Sequence, residues 1–310
     1  MSVDLAVALG PLRLKNPVVT ASGTFGYGTE FQPFLDLSRL GGLVVKGLSV
    51  RPRRGNAPPR IAETASGMIN AIGLQNVGVD AFLAEKLPAL AGCDTAVIAN
   101  VYGESLEDYV EVCRRLEGAP GLAAIELNVS CPNTALGGMH FGVEVTVLAR
   151  LVGAVRRVTT LPLIVKLSPN VTDIREPARA AADAGADILS LVNTFTALAI
   201  NAESRRPRLH NGVGGLSGPA IKPLALYMVH RVATSVALPI MGMGGIMEPL
   251  DAVEFMMAGA TAVQIGTANF VDPGRSVAIV DGLRDWCASH GVARAADLVG
   301  SLRTDAGGPP

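Results

Sequence analysis

A chain of 310 residues with 49% hydrophobic content and a net charge of −1 has room for one large globular core or two small ones. Balanced charge and only 4% aromatic residues exclude a nucleic-acid surface, which needs basic stripes and stacking platforms. Cys93, Cys113, Cys131 and Cys287 are widely scattered, with no CxxC pair and no histidine at ligand spacing, which excludes a disulfide framework and a metal site.

No uncharged apolar run reaches the ~18–20 residues of a membrane span. The longest, 255–271, is interrupted by glycines, Gln264 and Asn269. The N-terminus has no basic segment followed by an apolar one, so no signal peptide is expected and the protein is placed in the cytoplasm.

In chain order, residues 3–14 hold two short apolar pieces on either side of the turn signal Gly10-Pro11, predicted as a small hairpin plugging the bottom of the barrel that the later strands build. Eight apolar strands are predicted at 17–21, 42–47, 95–101, 123–129, 161–167, 187–193, 239–243 and 262–266. Between them lie alanine- and leucine-rich segments with helical spacing, for example 105–115, 143–158, 175–184, 221–232 and 248–257. Alternating strands and helices in that number predict an α/β fold, a (β/α)₈ TIM barrel, and no composition break divides 1–310 into more than one domain. Two connections, 49–80 and 194–219, are too long to be plain turns and are expected as functional loops on the barrel's active-site face. The basic run Arg51-Pro-Arg-Arg54 reads as a solvated part of the first.

The strand exits carry the chemistry. In Glu126-Leu-Asn-Val-Ser-Cys-Pro-Asn133 an apolar strand runs into Asn128, Cys131 and Asn133, and Pro132 forbids a continuing ladder, so Cys131 is expected on a sharp loop. The second strand ends in Lys46, the third in Asn100, the fifth in Lys166 and Ser168, and the sixth in Asn193 and Thr194. Amides, lysines and a thiol at neighbouring strand ends are poor core material unless something polar sits among them. The seventh and eighth strands end instead in Gly242-Met-Gly-Gly245 and Gly266-Thr-Ala268, where small residues let backbone N–H groups approach a phosphate, as the last two loops of such barrels often do. Gly214-Gly-Leu-Ser-Gly218 adds a further close-approach segment. A phosphate at one side of the mouth, cations and amides across its middle and a cysteine above describe a bound flavin mononucleotide with a substrate stacked on it, Lys166 or Lys46 supplying the charge that a reduced, anionic ring needs.

Here the chain resembles a known family, the class 1 dihydroorotate dehydrogenases, which oxidise dihydroorotate to orotate in pyrimidine (UMP) synthesis. The likeness runs nearly end to end. It is carried by Ala21-Ser-Gly-Thr-Phe25, Val45-Lys-Gly-Leu-Ser49, Asn70-Ala-Ile-Gly-Leu-Gln-Asn76, the 126–133 segment, Val165-Lys-Leu-Ser-Pro169, Val192-Asn-Thr194, Gly214-Gly-Leu-Ser-Gly218 and Met241-Gly-Met-Gly-Gly245. The resemblance implies FMN contacts at Ser22, Lys46, Asn100, Asn128, Lys166, Val192, Gly218, Gly244, Gly245, Gly266 and Thr267. It implies substrate contacts at Lys46, Asn70, Ala71, Ile72, Gly73, Leu74, Asn128, Asn193 and Thr194, with Asn133 added from the Cys-Pro-Asn turn, and Cys131 as the base.

Within the class, 73–76 and the Gly-Met-Gly-Gly loop look like the heteromeric type 1B. That likeness implies a partner subunit carrying FAD and a 2Fe-2S cluster, through which electrons reach NAD, and a dimer of this chain within a heterotetramer. Alternatives are the stand-alone, fumarate-linked type 1A or a related dihydropyrimidine oxidoreductase, and, more remotely, a non-catalytic phosphate-binding barrel.

Overall fold

A computed structural model describes residues 3–129, 141–142 and 144–303. Its first strands, β1 (Val7–Leu9) and β2 (Leu12–Leu14), form the expected hairpin around Gly10. Next come β3 (Val18–Thr20), β4 (Gly42–Val44), β5 (Ile61–Thr64) and β6 (Gly67–Asn70). They are followed by β7 (Ala96–Val101), β8 (Leu122–Asn128), β9 (Leu163–Lys166) and β10 (Ile188–Leu191). The chain then forms β11 (Phe195–Leu198), β12 (Ile200–Asn201), β13 (Arg206–Pro207) and β14 (Val213–Ser217), and ends its strands with β15 (Ile240–Met243) and β16 (Ala262–Ile265).

Strands β3, β4, β7, β8, β9, β10, β15 and β16 close into a barrel in which every neighbouring pair is parallel. All eight predicted strands are therefore present. Six of them end earlier than predicted, while β7 and β15 end where expected: β4, for example, ends as a strand at Val44, and the chain bends so that Lys46 faces the mouth.

The helices α1 (Val79–Ala81), α2 (Leu106–Leu116), α3 (Val145–Arg156), α4 (Arg175–Asp183), α5 (Lys222–Ala233), α6 (Pro249–Met257), α7 (Ala268–Val271) and α8 (Arg275–Ser289) fill the connections. Helix α2 shows why they form. Ser105 Oγ accepts from Asp108 N at 3.1 Å while Asp108 Oδ2 accepts from Ser105 N at 3.2 Å, a reciprocal cap on the first turn. Tyr109, Val112, Cys113 and Leu116, at helical spacing, are its buried stripe against the barrel.

Inside the barrel the alternation of each strand sorts residues into layers. Val19, Val44, Ile98, Ala124, Ile164, Ile188, Met241 and Ala262, one from each barrel strand, form an apolar cluster with Val7, Leu9, Leu12 and Leu14 of the hairpin. The hairpin is thus the bottom plug. Two residues further along the same faces stand Lys46, Asn100, Glu126, Lys166, Ser190 and Gln264, and the interior turns polar.

The two long connections depart from the expectation of loops. They pair with each other into a four-stranded antiparallel sheet in the order β11-β14-β6-β5, while β12 and β13 pair at its margin. Non-local pairing of this kind is invisible to periodicity in either segment alone. It also gives Gly214 and Gly215 their reason: a Cβ on Gly214 would lie 2.6 Å from Asn70 O, and one on Gly215 would collide with Thr194. In the structure the close approach read from these two glycines is of strand to strand.

Candidate active site

At the C-terminal end of the barrel strands, beside the antiparallel sheet, lies a cavity of about 400 Å³. Every cofactor or substrate residue expected from the sequence, among those the structure describes, lines it. Ser22 comes from the β3 exit, Lys46 from the β4 exit, and Asn100, Asn128 and Lys166 from β7, β8 and β9. Val192, Asn193 and Thr194 follow β10; Asn70, Ala71, Ile72, Gly73 and Leu74 belong to the end of β6 and the turn beyond it; Gly218 follows β14. Gly244 and Gly245 follow β15, and Gly266 and Thr267 follow β16. Cys131 and Asn133 lie outside the described residues.

Two cations share the cavity. Lys166 is buried and donates from Nζ to Ser22 Oγ at 3.2 Å. Burial pushes its pKa down, and the Glu126 carboxylate works in the opposite sense. The Lys46 pKa is also lowered, first by burial and then by the charges of Arg60 and Lys166. Both ammonium groups are held where water solvates them poorly, so an anionic or electron-rich ligand supplies what the protein withholds.

The amides form a chain. Asn193 Nδ2 donates to Asn128 Oδ1 at 3.2 Å, Thr194 N donates to Asn193 Oδ1 at 2.8 Å, and Tyr109 Oη donates to the Asn128 carbonyl at 2.7 Å. Asn70 Nδ2 donates to the Gly215 carbonyl at 3.3 Å, so the sheet fixes one amide of the roof. Beyond it Gly73 (φ +74°) and Leu74 (φ +55°) are both left-handed. A branched side chain in that region costs about 1 kcal/mol or more, and the strain sits on the cavity wall.

Reading exits alone missed the floor. Glu126 is fully buried; it accepts from Asn100 Nδ2 at 2.7 Å, Ser190 Oγ at 2.9 Å and Gln264 Nε2 at 2.7 Å. The signal was in the sequence, since Glu126, Ser190 and Gln264 each interrupt an apolar strand at an inward position, two residues beyond the apolar layer. Asn100 Oδ1 and Gln264 Oε1 are buried without a hydrogen-bond partner among the described residues.

On the opposite side, Gly244 (φ +125°) and Gly245 (φ +79°) are glycines for conformation and packing together. A Cβ on Gly244 would stand 2.8 Å from Ala225 Cβ, and one on Gly245 2.7 Å from Lys222 N. Contact with α5, rather than room for a ligand oxygen, excludes larger residues there. Among the described residues their backbone N–H groups take no part in the turn and cap hydrogen bonds of this region. Asp251 locks the loop: it accepts from Met247 N at 2.8 Å and Glu248 N at 2.9 Å and pairs with Lys222. Burial alone would raise its pKa, but Lys222 and the two amides hold it below the usual carboxylate value. Thr267 Oγ1 donates to Ser217 Oγ at 2.8 Å, joining the last loop to β14.

The dihydroorotate dehydrogenase family profile matches residues 4–286. The chain belongs to the dihydroorotate dehydrogenase family. It is 55% identical over 300 residues, 97% of its length and 98% of the relative's, to the Geotalea daltonii protein named dihydroorotate dehydrogenase B (NAD(+)), catalytic subunit. The Pelobacter propionicus protein of the same name is 55% identical over 97% of this chain and 99% of its own. A Solibacter usitatus relative, 56% identical over 98% of this chain and 100% of its own, is named putative dihydroorotate dehydrogenase A (fumarate). Among solved structures, DHODH from Eimeria tenella in complex with ferulenol superposes with a TM-score of 0.79 at 23% identity, covering 96% of this chain and 88% of that one; this likeness is one of fold. Among the described residues no helix is long and apolar enough to cross a membrane.

Proposed function

We propose that this chain is the FMN-bearing catalytic subunit of an NAD-linked dihydroorotate dehydrogenase, oxidising (S)-dihydroorotate to orotate in cytoplasmic pyrimidine biosynthesis. One observation carries the reading: two poorly solvated lysines, a chain of amides and the glycine loops after β15 and β16 line a single cavity, in a member of this family. FMN fits these walls. The acceptors Asn100 Oδ1 and Gln264 Oε1, without partners among the described residues, suit a ring N–H, Lys166 and Lys46 suit developing negative charge, and the N–H groups at Gly244 and Gly245 suit a phosphate. Bound FMN supplies the hydride-accepting centre.

The chain's own residues do the rest. Lys46 and the asparagines Asn70, Asn128, Asn133 and Asn193 hold the substrate's carboxylate and ring amides, with Ala71 to Leu74 and Thr194 as further contacts, so that C6 is presented to the flavin; positioning is a large part of the rate. Cys131, acting as thiolate from the opposite face, removes the C5 proton. Its free pKa near ~8.5 makes activity rise with pH unless the site lowers that value.

Reoxidation is assigned to a partner subunit with FAD and a 2Fe-2S cluster, which passes electrons to NAD; this chain forms a dimer within a heterotetramer. The fumarate-linked relative makes the decisive experiment concrete. The purified, FMN-loaded chain should oxidise dihydroorotate with an artificial acceptor, reduce NAD only when the partner is added, and reduce fumarate poorly. Rapid NAD reduction by this chain alone refutes the heteromeric assignment, and efficient fumarate reduction moves it to the stand-alone type.

A further inference from the structure

The floor of the cavity contains a buried carboxylate for which the proposed reaction has no use. Glu126 cannot touch the substrate: it is fully buried and surrounded by Asn100, Ser190 and Gln264. Both Glu126 oxygens accept hydrogen bonds here, whereas an amide offers a donor end and an acceptor end. Asn100 gives its Nδ2 to Glu126 Oε1, and Gln264 gives its Nε2 to Glu126 Oε2. Each amide is thereby fixed in one sense, and its oxygen is left over. Those two oxygens, on two residues that line the cavity, are buried and have no hydrogen-bond partner among the described residues.

We propose that Glu126 is a positioning residue that sets the polarity of the cavity floor, holding Asn100 and Gln264 with their acceptor ends available so that the site selects a ring carrying an N–H at that edge. The inference rests on the flavin reading above and deepens it: in the oxidised flavin ring the hydrogen-bond donor of the pyrimidine edge is N3–H. Leaving a buried acceptor unpaired is costly, so a ring that lacks this hydrogen is rejected. Should residue 126 carry both a donor and an acceptor, at least one of its three present donors must turn away or flip, and the floor no longer has a fixed sense.

The test uses apo-protein of the whole chain titrated with FMN and with 3-methyl-FMN, in which the N3 hydrogen is replaced by methyl, following flavin fluorescence. Wild type should prefer FMN by on the order of tenfold or more, the worth of one buried hydrogen bond. Glu126→Gln should bind FMN more weakly and lose most of that preference. The exchanged pair Asn100→Asp with Glu126→Gln returns an acceptor to position 100 facing an amide donor and should restore the preference, which a merely structural role of Glu126 does not predict. Ser190→Ala removes only the hydroxyl donor, leaves both amide contacts, and should keep the preference. Equal binding of the two flavins by wild type, or full discrimination retained by Glu126→Gln, overturns the proposal even if Glu126→Gln alone is the variant that folds. Wild-type protein that takes up no flavin overturns the cofactor reading itself, and this inference with it.

Discussion

The lower and upper halves of the barrel interior are built on the same eight strands, yet they differ in kind. Below, Val19, Val44, Ile98 and their counterparts meet the hairpin in a dry layer. Above, one step of the strand alternation brings Lys46, Asn100, Glu126, Lys166 and Gln264 to the same faces. The lower half gains from removing apolar surface from water. The upper half gives that up and retains poorly solvated charge and acceptors with no partner among the described residues, an arrangement that a polar ligand would complete. Stability and function have been separated along the barrel axis.

The largest effect should come from the mouth. Cys131→Ala removes the proposed proton acceptor and should lower dihydroorotate turnover by about 10²–10⁴-fold, with FMN content and melting temperature close to wild type; Cys131→Ser should recover a little activity, more at high pH. Near-normal turnover in stopped-flow reduction of the alanine variant would show that the upper half does not carry the chemistry in this way.

The converse change lies in the plug. Leu9 is fully buried in the lower layer, and Leu9→Ala should destabilise the protein by about 2–5 kcal/mol. Thermal unfolding should move down by several degrees while kcat and KM measured well below the transition stay near wild type. A kcat defect larger than the fraction unfolded would show that the halves are coupled.

A smaller effect is expected where the two meet the outer ring. Asp251→Asn weakens the lock on the Gly244–Met247 loop and should cost about 1 kcal/mol, the usual worth of a helix-start cap, with FMN dissociating faster. Because the Asp251 pKa is lowered in the folded protein, its contribution is fully present above the unfolded value near 3.8 and is lost as pH falls through the folded value. Acid unfolding midpoints of wild type and variant should therefore converge at low pH.

The smallest signal is alkaline. Lys46 and Lys166 are depressed below the ordinary lysine value of 10.5, so between their folded values and 10.5 the unfolded chain holds protons that the native chain has released. Apo-protein stability should accordingly rise with pH across that window. The rise should shrink in Lys46→Met and in FMN-loaded protein, as read by denaturant midpoints over the alkaline range.

How much was legible along the chain depended on which interactions are local. Apolar runs marked eight strands, helical spacing marked 105–115, and polar residues at strand exits marked Lys46, Asn128, Lys166 and Asn193 before any coordinates. The resemblance carried by 126–133 and the glycine segments named the family. Tertiary structure alone decided the rest. The four-stranded sheet exists because two hairpin-like units, β5–β6 and β11–β14, about 145 residues apart, pair across the mouth through β6 and β14, as Asn70 does with Gly215; neither segment alternates well enough to say so by itself. Gly244 and Gly245 read as close-approach residues, and only the structure shows that their side-chain space is taken by α5. Glu126 was visible as a charge in an apolar strand, yet only closure of the barrel brings β7, β10 and β16 around it and leaves two amide oxygens without partners among the described residues. A hydrogen-bond network that spans four strands has no signature along one chain, because its geometry is created by the fold that brings those strands together.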